Sequence, residues 1–136
     1  MSKTIRLGIS TCPNDTFAFH ALMNGLVDLQ GLQFETELMD IAELNRRTAA
    51  KEFDVAKASF ALAHKVADSW VVLPSGSALG FGVGPLLLAA KQGTTPNDSG
   101  QLTLCPGEHT TATMLFKMFY GQTPVYYTHL TLPTKA

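Results

Sequence analysis

The feature that most restricts what this chain can fold into is the way its hydrophobic period alternates along the first half. Ile5–Ser10 is a short apolar run of β-compatible residues that ends in Thr11-Cys12-Pro13-Asn14-Asp15, a cluster of turn and capping types. Thr16–Asn24 then carries Phe17, His20, Ala21 and Leu22 at helical spacing before Gly25, with Asn14 or Asp15 available as a cap. Over Gln33–Met39 the period falls to two. Phe34, Thr36 and Leu38 alternate there with Gln33, Glu35 and Glu37, as in a strand with one wet face near a sheet edge. Asp40 caps a second helix with Ile41, Leu44 and Thr48 inward, Asp54–Ser59 reads as a short buried strand, and Phe60–Ala67 is helical again. Strands that alternate with helices need crossover connections, and crossovers give a mostly parallel sheet, so the expected class is α/β.

Trp70–Pro74 predicts one more strand. The following segment, Ser75–Gly84, has glycines at 76, 80, 82 and 84, and the apolar run Pro85–Ala90 extends from it. Such a loop lets backbone approach a ligand closely, but without a strand-GxGxxG-helix context it is no dinucleotide site. The polar stretch Gln92–Gly100 separates this region from a strand, Leu102–Cys105, and a helix, Glu108–Tyr120, and a lobe boundary is placed there. Pro106-Gly-Glu-His-Thr-Thr-Ala112 brings free backbone N–H groups and two hydroxyls to that helix start, an arrangement suited to an anion.

A length of 136 residues allows one domain, or one and a part, but not two complete lobes. With 46% hydrophobic and 15% charged residues and a net charge of -1, the chain is of ordinary globular type. Its cations are scattered, Arg46-Arg47 being the one adjacent pair, so neither a nucleic-acid stripe nor a polybasic membrane anchor is present. No apolar run approaches the roughly 18 residues of a membrane helix. The first residues lack the pattern of a signal peptide, which points to the cytoplasm. Cys12 and Cys105 are the two cysteines, expected as reduced thiols. A small-molecule partner fits this balance best.

Several blocks in order resemble the 1,4-dihydroxy-6-naphthoate synthases of the futalosine route to menaquinone. They are Gly8-Ile-Ser-Thr-Cys-Pro-Asn-Asp-Thr-Phe17, Val55-Ala-Lys-Ala-Ser59, Ser75-Gly-Ser-Ala-Leu-Gly80 with Gly82-Val-Gly-Pro-Leu-Leu87, and Pro106-Gly107 with Thr110-Thr-Ala112. The resemblance implies a two-lobed fold like the type II periplasmic-binding proteins, with an incomplete lobe one over residues 1–91 and a hinge and the start of lobe two over 92–124. It implies a lyase that converts cyclic dehypoxanthinyl futalosine to the dihydroxynaphthoate with no cofactor and no metal. Carried over by position, Lys57, Ala58 and Ser59 form one side of the substrate site, Thr110, Thr111 and Ala112 the other, and Asn14 and Asp15 line the cleft. The family's histidine base falls beyond the matching region, so no catalytic residue is assigned. Phe81 stands where the family often has a basic residue. Rival readings are the sibling chorismate dehydratase, against which Cys12-Pro13-Asn14-Asp15-Thr16 argues, and a solute-binding module for a small anion.

Residues 125–136 do not continue the pattern. Tyr127-Thr-His-Leu-Thr-Leu-Pro-Thr134 back-translates into a transposase-adaptor sequence, so this tail reads as foreign and His129 is not nominated as the base. The chain is therefore expected to be a truncated front half, inactive alone, with apolar faces that favour self-association. His20 and His64 read as structural, while His109 is open between facing the cleft and capping or facing water. Cys12 has no assigned base and reads as packing rather than nucleophilic. Lys57 in a buried strand is costly unless paired, which favours a site, the contrary reading being edge exposure. Met23, Met114 and Met118 are expected in the core.

Overall fold

The computed structural model describes residues 4–78 and 80–127. In chain order the elements are β1 (Thr4–Ser10), α1 (Pro13–Ala18), α2 (His20–Met23), β2 (Gln33–Met39), α3 (Ile41–Ala49), β3 (Val55–Ala56), α4 (Phe60–Val66), β4 (Thr103–Cys105), α5 (Thr111–Phe119) and β5 (Val125–Tyr127). The expected α/β class and parallel sheet are both present. Strand β1 is central, in the order β2-β1-β3, and both of its pairings are parallel. Its partner β2 runs in register from Thr4↔Gln33 to Ser10↔Met39 and forms the edge that its alternating pattern predicts. The ladder to β3 is short, Leu7↔Val55 and Gly8↔Ala56, and is lengthened by Asp54 N–H to the Arg6 carbonyl at 3.0 Å and Lys57 N–H to the Gly8 carbonyl at 2.8 Å. A separate pair, β4 with β5, is also parallel.

Leu7, Ile9, Leu44, Phe53 and Leu62 are all buried, as are Asn45 and Thr48 on the inward face of α3. Leu44 and Phe53 lie over the Gly8 side of β1, and Leu7 and Ile9, one residue to either side, point to its other face. Gly8 makes that packing possible: a Cβ there would stand 2.7 Å from Leu44 Cδ1 and 3.0 Å from the Phe53 ring. Asp40 caps α3 as expected, its Oδ1 accepting from the Ala42 and Glu43 N–H groups at 2.8 and 3.0 Å. Arg47 ties this helix to the sheet edge. Its guanidinium pairs with Glu37 of β2 at 2.7 Å and with Glu52 at 2.6 Å, and it lies 4.6 Å over the Phe53 ring.

Several expectations need correction. The first helix starts at Pro13 with Cys12 as its N-cap residue, so Asn14 and Asp15 lie inside it and do not cap it; Pro at the first helical position presets the needed φ. It also breaks at Phe19 (φ -93°, ψ 1°) into α1 and α2. The helix expected from Glu108 starts only at Thr111, because Thr110 is its cap and Glu108–His109 form a turn. Trp70–Pro74 is not a strand. No strand among the described residues pairs with it, nor with Pro85–Ala90, and Val71, Val72, Leu73, Leu86 and Leu88 are exposed. Met118 is exposed rather than in the core, and Met23 and Met114 are only half-buried. Leu79 of the glycine-rich loop lies outside the described residues, as does the suspected foreign tail after Tyr127; the tail's first three residues form β5. Among the described residues no helix is long and apolar enough to cross a membrane.

Gly8→Ala is expected to destabilise the chain by about 1–3 kcal/mol, since the added methyl meets Leu44 and Phe53 in a filled space. The shift of the urea unfolding midpoint at unchanged slope measures it.

Candidate functional site

The chain passes from β1 to β2 on one side and then returns to β3 on the other, so the direction of strand addition reverses between β1 and β3. In open α/β sheets ligands bind beyond the carboxyl ends of the strands at such a point, where the diverging connections leave a crevice. Here that place is occupied by Ser10, the loop into α1, and Lys57–Ser59.

Asp15 is the buried charge of this region, with 5% of its surface exposed. One carboxylate oxygen accepts from Lys57 Nζ and the other from Ser10 Oγ, both at 2.5 Å, and the Ser10 hydroxyl oxygen in turn accepts from the Cys12 N–H at 3.2 Å. Burial pushes the Asp15 carboxyl up, but hydrogen bonds from Lys57 and Ser10 to the ionised form outweigh it and hold it below the usual carboxylate range. Lys57 sits just past the end of β3 with 37% of its side chain exposed. Its cost of burial is thus met by a partner, while part of its side chain remains exposed.

A second cluster is built around Ser59, two residues beyond Lys57 in the chain. Asn45, fully buried on α3, donates from Nδ2 to Ser59 Oγ at 2.9 Å and to the His109 carbonyl at 3.3 Å, while its Oδ1 accepts from the Ser59 N–H at 3.0 Å. Ser59 is the N-cap residue of α4, and the Ala61 N–H of that helix donates to Thr111 Oγ1 at 3.3 Å. The starts of α4 and α5 therefore meet. Thr110 caps α5, accepting from Thr113 N–H at 3.4 Å, and the hydroxyls of Thr110 and Thr113 both donate to the Gly107 carbonyl, at 2.9 and 2.7 Å. Gly107 itself packs so closely on α3 that a Cβ would stand 2.8 Å from Ala42 Cβ.

Of the residues expected in the site, Asp15 and Lys57 touch each other, and Ser59, Thr110 and Thr111 are gathered around the α4–α5 junction. Ala58 and Ala112 are half-buried in the same two segments. Asn14 is exposed on α1. His109 is half-buried, with Nδ1 3.0 Å from Lys65 Nζ, whereas His20 and His64 are exposed, His20 beside Asn24 and His64 edge-on to the Phe60 ring. Cys12 is exposed and Cys105 buried. Phe81 is exposed on its loop. Among the described residues no group of three or more His, Cys, Asp or Glu side chains is placed to hold a metal. Sequence reasoning missed Ser10 and Asn45. The available signal for Asn45 was a polar side chain set between Leu44 and Thr48 on the inward stripe of α3. An apolar concavity of about 260 Å³, lined by Leu86, Leu87, Cys105, Ala112, Leu115 and Phe116 among others, touches this region through Ala112 and includes neither Asp15 nor Lys57.

Because the Asp15 carboxyl is held below its unfolded value of about 3.9, its pairing stabilises the fold at every pH above that value and is lost as pH falls through the lower folded value. Asp15→Asn is expected to lower stability near neutrality and to flatten this acid limb, as read from urea unfolding between pH 7 and pH 3.

The family model described as menaquinone biosynthesis matches residues 5–135. A protein of Thermus thermophilus named 1,4-dihydroxy-6-naphtoate synthase is 41% identical over 124 residues, covering 90% of this chain and 44% of the relative. One of the same name from Streptomyces coelicolor is 37% identical over 122 residues, covering 90% and 42%. The chain thus spans less than half the length of these relatives. The X-ray crystal structure of protein AF1704 from Archaeoglobus fulgidus superposes with a TM-score of 0.84 at 28% identity, over 93% of this chain and 46% of that one. With its sequence matched almost from end to end by that family model, this chain belongs to the menaquinone biosynthesis family.

Proposed function

We propose that this chain is the front portion of a 1,4-dihydroxy-6-naphthoate synthase, a lyase that converts cyclic dehypoxanthinyl futalosine to 1,4-dihydroxy-6-naphthoate without metal or organic cofactor. The observation that carries the reading is the junction at which the Ser59 N-cap of α4 and the Thr110–Ala112 start of α5 meet, with Lys57 two residues before Ser59 at the end of β3. An aromatic carboxylate suits such a place: the ammonium supplies charge, and backbone N–H groups of the first turn of α5 have no partner within the helix. The apolar concavity beside Ala112 offers a wall for a fused ring. The shared name of the relatives supports the synthase over its chorismate-dehydratase sibling and over a transport module.

In this reading residues 1–91 are most of one lobe of a fold like that of the type II periplasmic-binding proteins, and residues 92–124 are the hinge and the beginning of the other. Lys57, Ser59, Thr111 and Ala112 bind and orient the substrate. The histidine base that removes a proton belongs to the part of the relatives' length that this chain does not span. The enzyme works in the cytoplasm, on a small carboxylate, with no nucleic-acid or membrane partner.

The test is turnover by the full-length protein of the natural gene. Incubated with cyclic dehypoxanthinyl futalosine, it is expected to release 1,4-dihydroxy-6-naphthoate, followed by chromatography. Ser59→Ala is expected to raise KM about tenfold, equivalent to ~1.4 kcal/mol of binding. The 136-residue chain alone is expected to give no product. Binding of the substrate without any product from the full-length protein would move the reading to a non-catalytic anion binder.

A further inference from the structure

Asp15 was expected to line the cleft as a ligand-contacting residue, yet the structure uses both of its carboxylate oxygens within the protein. It is 5% exposed, whereas the side chain of Lys57, its partner, is 37% exposed. A carboxylate so placed has little surface to offer a substrate and would repel an anionic one. What it does control is the position of a cation. Lysine carries a point charge on a flexible four-carbon stem, and an unpaired ammonium at a strand end samples many rotamers. Asp15 fixes it in one of them, and Ser10 fixes Asp15 in turn, because its hydroxyl is held between the carboxylate and the Cys12 N–H. The ammonium has three donors, of which Asp15 takes one.

We propose that Asp15 is a positioning residue: it holds the Lys57 ammonium at the carboxyl end of β3, so that the remaining donors of that ammonium meet the carboxylate of an aromatic ligand. The proposal rests on the reading of the site given above and deepens it, since Asp15 acts only through Lys57. Two opposing effects set the sign of its removal. Loss of a negative charge near the site favours an anion, while release of the lysine stem disfavours binding. Both oxygens of Asp15 are taken up by Lys57 and Ser10, so the first effect is already offset in part by the cation it holds. The loss of a fixed ammonium dominates, and binding weakens.

The experiment uses the full-length protein and 2-naphthoate as the probe, titrated by calorimetry into wild type, Asp15→Asn, Lys57→Met and the double variant. Each single substitution is expected to weaken binding about tenfold, and the double variant no further than Lys57→Met alone, because the two residues act as a unit. Lys57→Arg, which keeps the charge, is expected to recover part of the loss, and the urea unfolding midpoint of each variant, measured beside the titration, separates a loss of binding from a loss of folding. If Asp15→Asn fails to fold, Asp15→Glu serves in its place: it keeps the charge, displaces the ammonium by one methylene, and is expected to weaken binding several-fold. Unchanged or tighter binding by the Asp15 variant, or a double variant weakened by the product of the two single effects, would overturn the proposal. Turnover of cyclic dehypoxanthinyl futalosine by wild type is measured beside it. Coupled binding effects without turnover overturn the synthase and leave the positioning role standing. Turnover with independent effects overturns the positioning role alone.

Discussion

β1 has hydrogen-bonded neighbours on both sides, and most of what is distinctive in this structure depends on that placement. A central parallel strand must be covered on its faces, and its Leu7 and Ile9 are accordingly buried. Gly8 lets Leu44 and Phe53 settle directly on the backbone, which brings α3 down onto the sheet. Once α3 is seated, Asn45 reaches the turn between β3 and α4 and the turn before α5 at the same time. The packing of a glycine in the sheet and the assembly of the candidate site are thus consecutive links of one chain of contacts.

The electrostatics follow the same geometry. Surface pairs such as Arg6 with Asp54 and Arg46 with Glu43 join exposed groups and are screened by water, so they matter little to the fold. The Asp15–Lys57 pair differs because one partner is buried and satisfied on both oxygens while the other emerges at the crevice. Such a pair carries a fixed charge from the interior to the edge of the candidate site. It belongs to the end of the sheet where the two connections diverge, the place at which open α/β sheets bind their ligands.

The region after α4 has the opposite character. Val71, Val72, Leu73, Phe81, Leu86 and Leu88 are all exposed, and this stretch forms no strand despite a hydrophobic composition suited to one. A strand needs a neighbouring ladder to satisfy its backbone, and composition alone does not provide it. Relatives in the family are more than twice as long as the matched segment, and the exposed side chains here are apolar, the type that packing against another segment buries.

The sequence by itself determined the α/β class, the edge position of β2, the Asp40 cap and the family, because each is written in local periodicity, in capping chemistry or in ordered blocks of residues. It also brought Lys57 forward, since a lysine at the end of an apolar run needs a reason. Local signals misplaced the first helix start, because Pro13 outweighs Asn14 and Asp15 as a starter, and they promoted Trp70–Pro74 to a strand it does not form. Only the tertiary structure decided that Asp15 turns inward to Ser10 and Lys57, 42 residues away from the latter, and that Asn45 joins Ser59 to His109 across 14 and 64 residues. Hydrogen-bond partners so far apart in sequence are chosen by which elements the sheet order places side by side, and no periodicity along the chain records that choice.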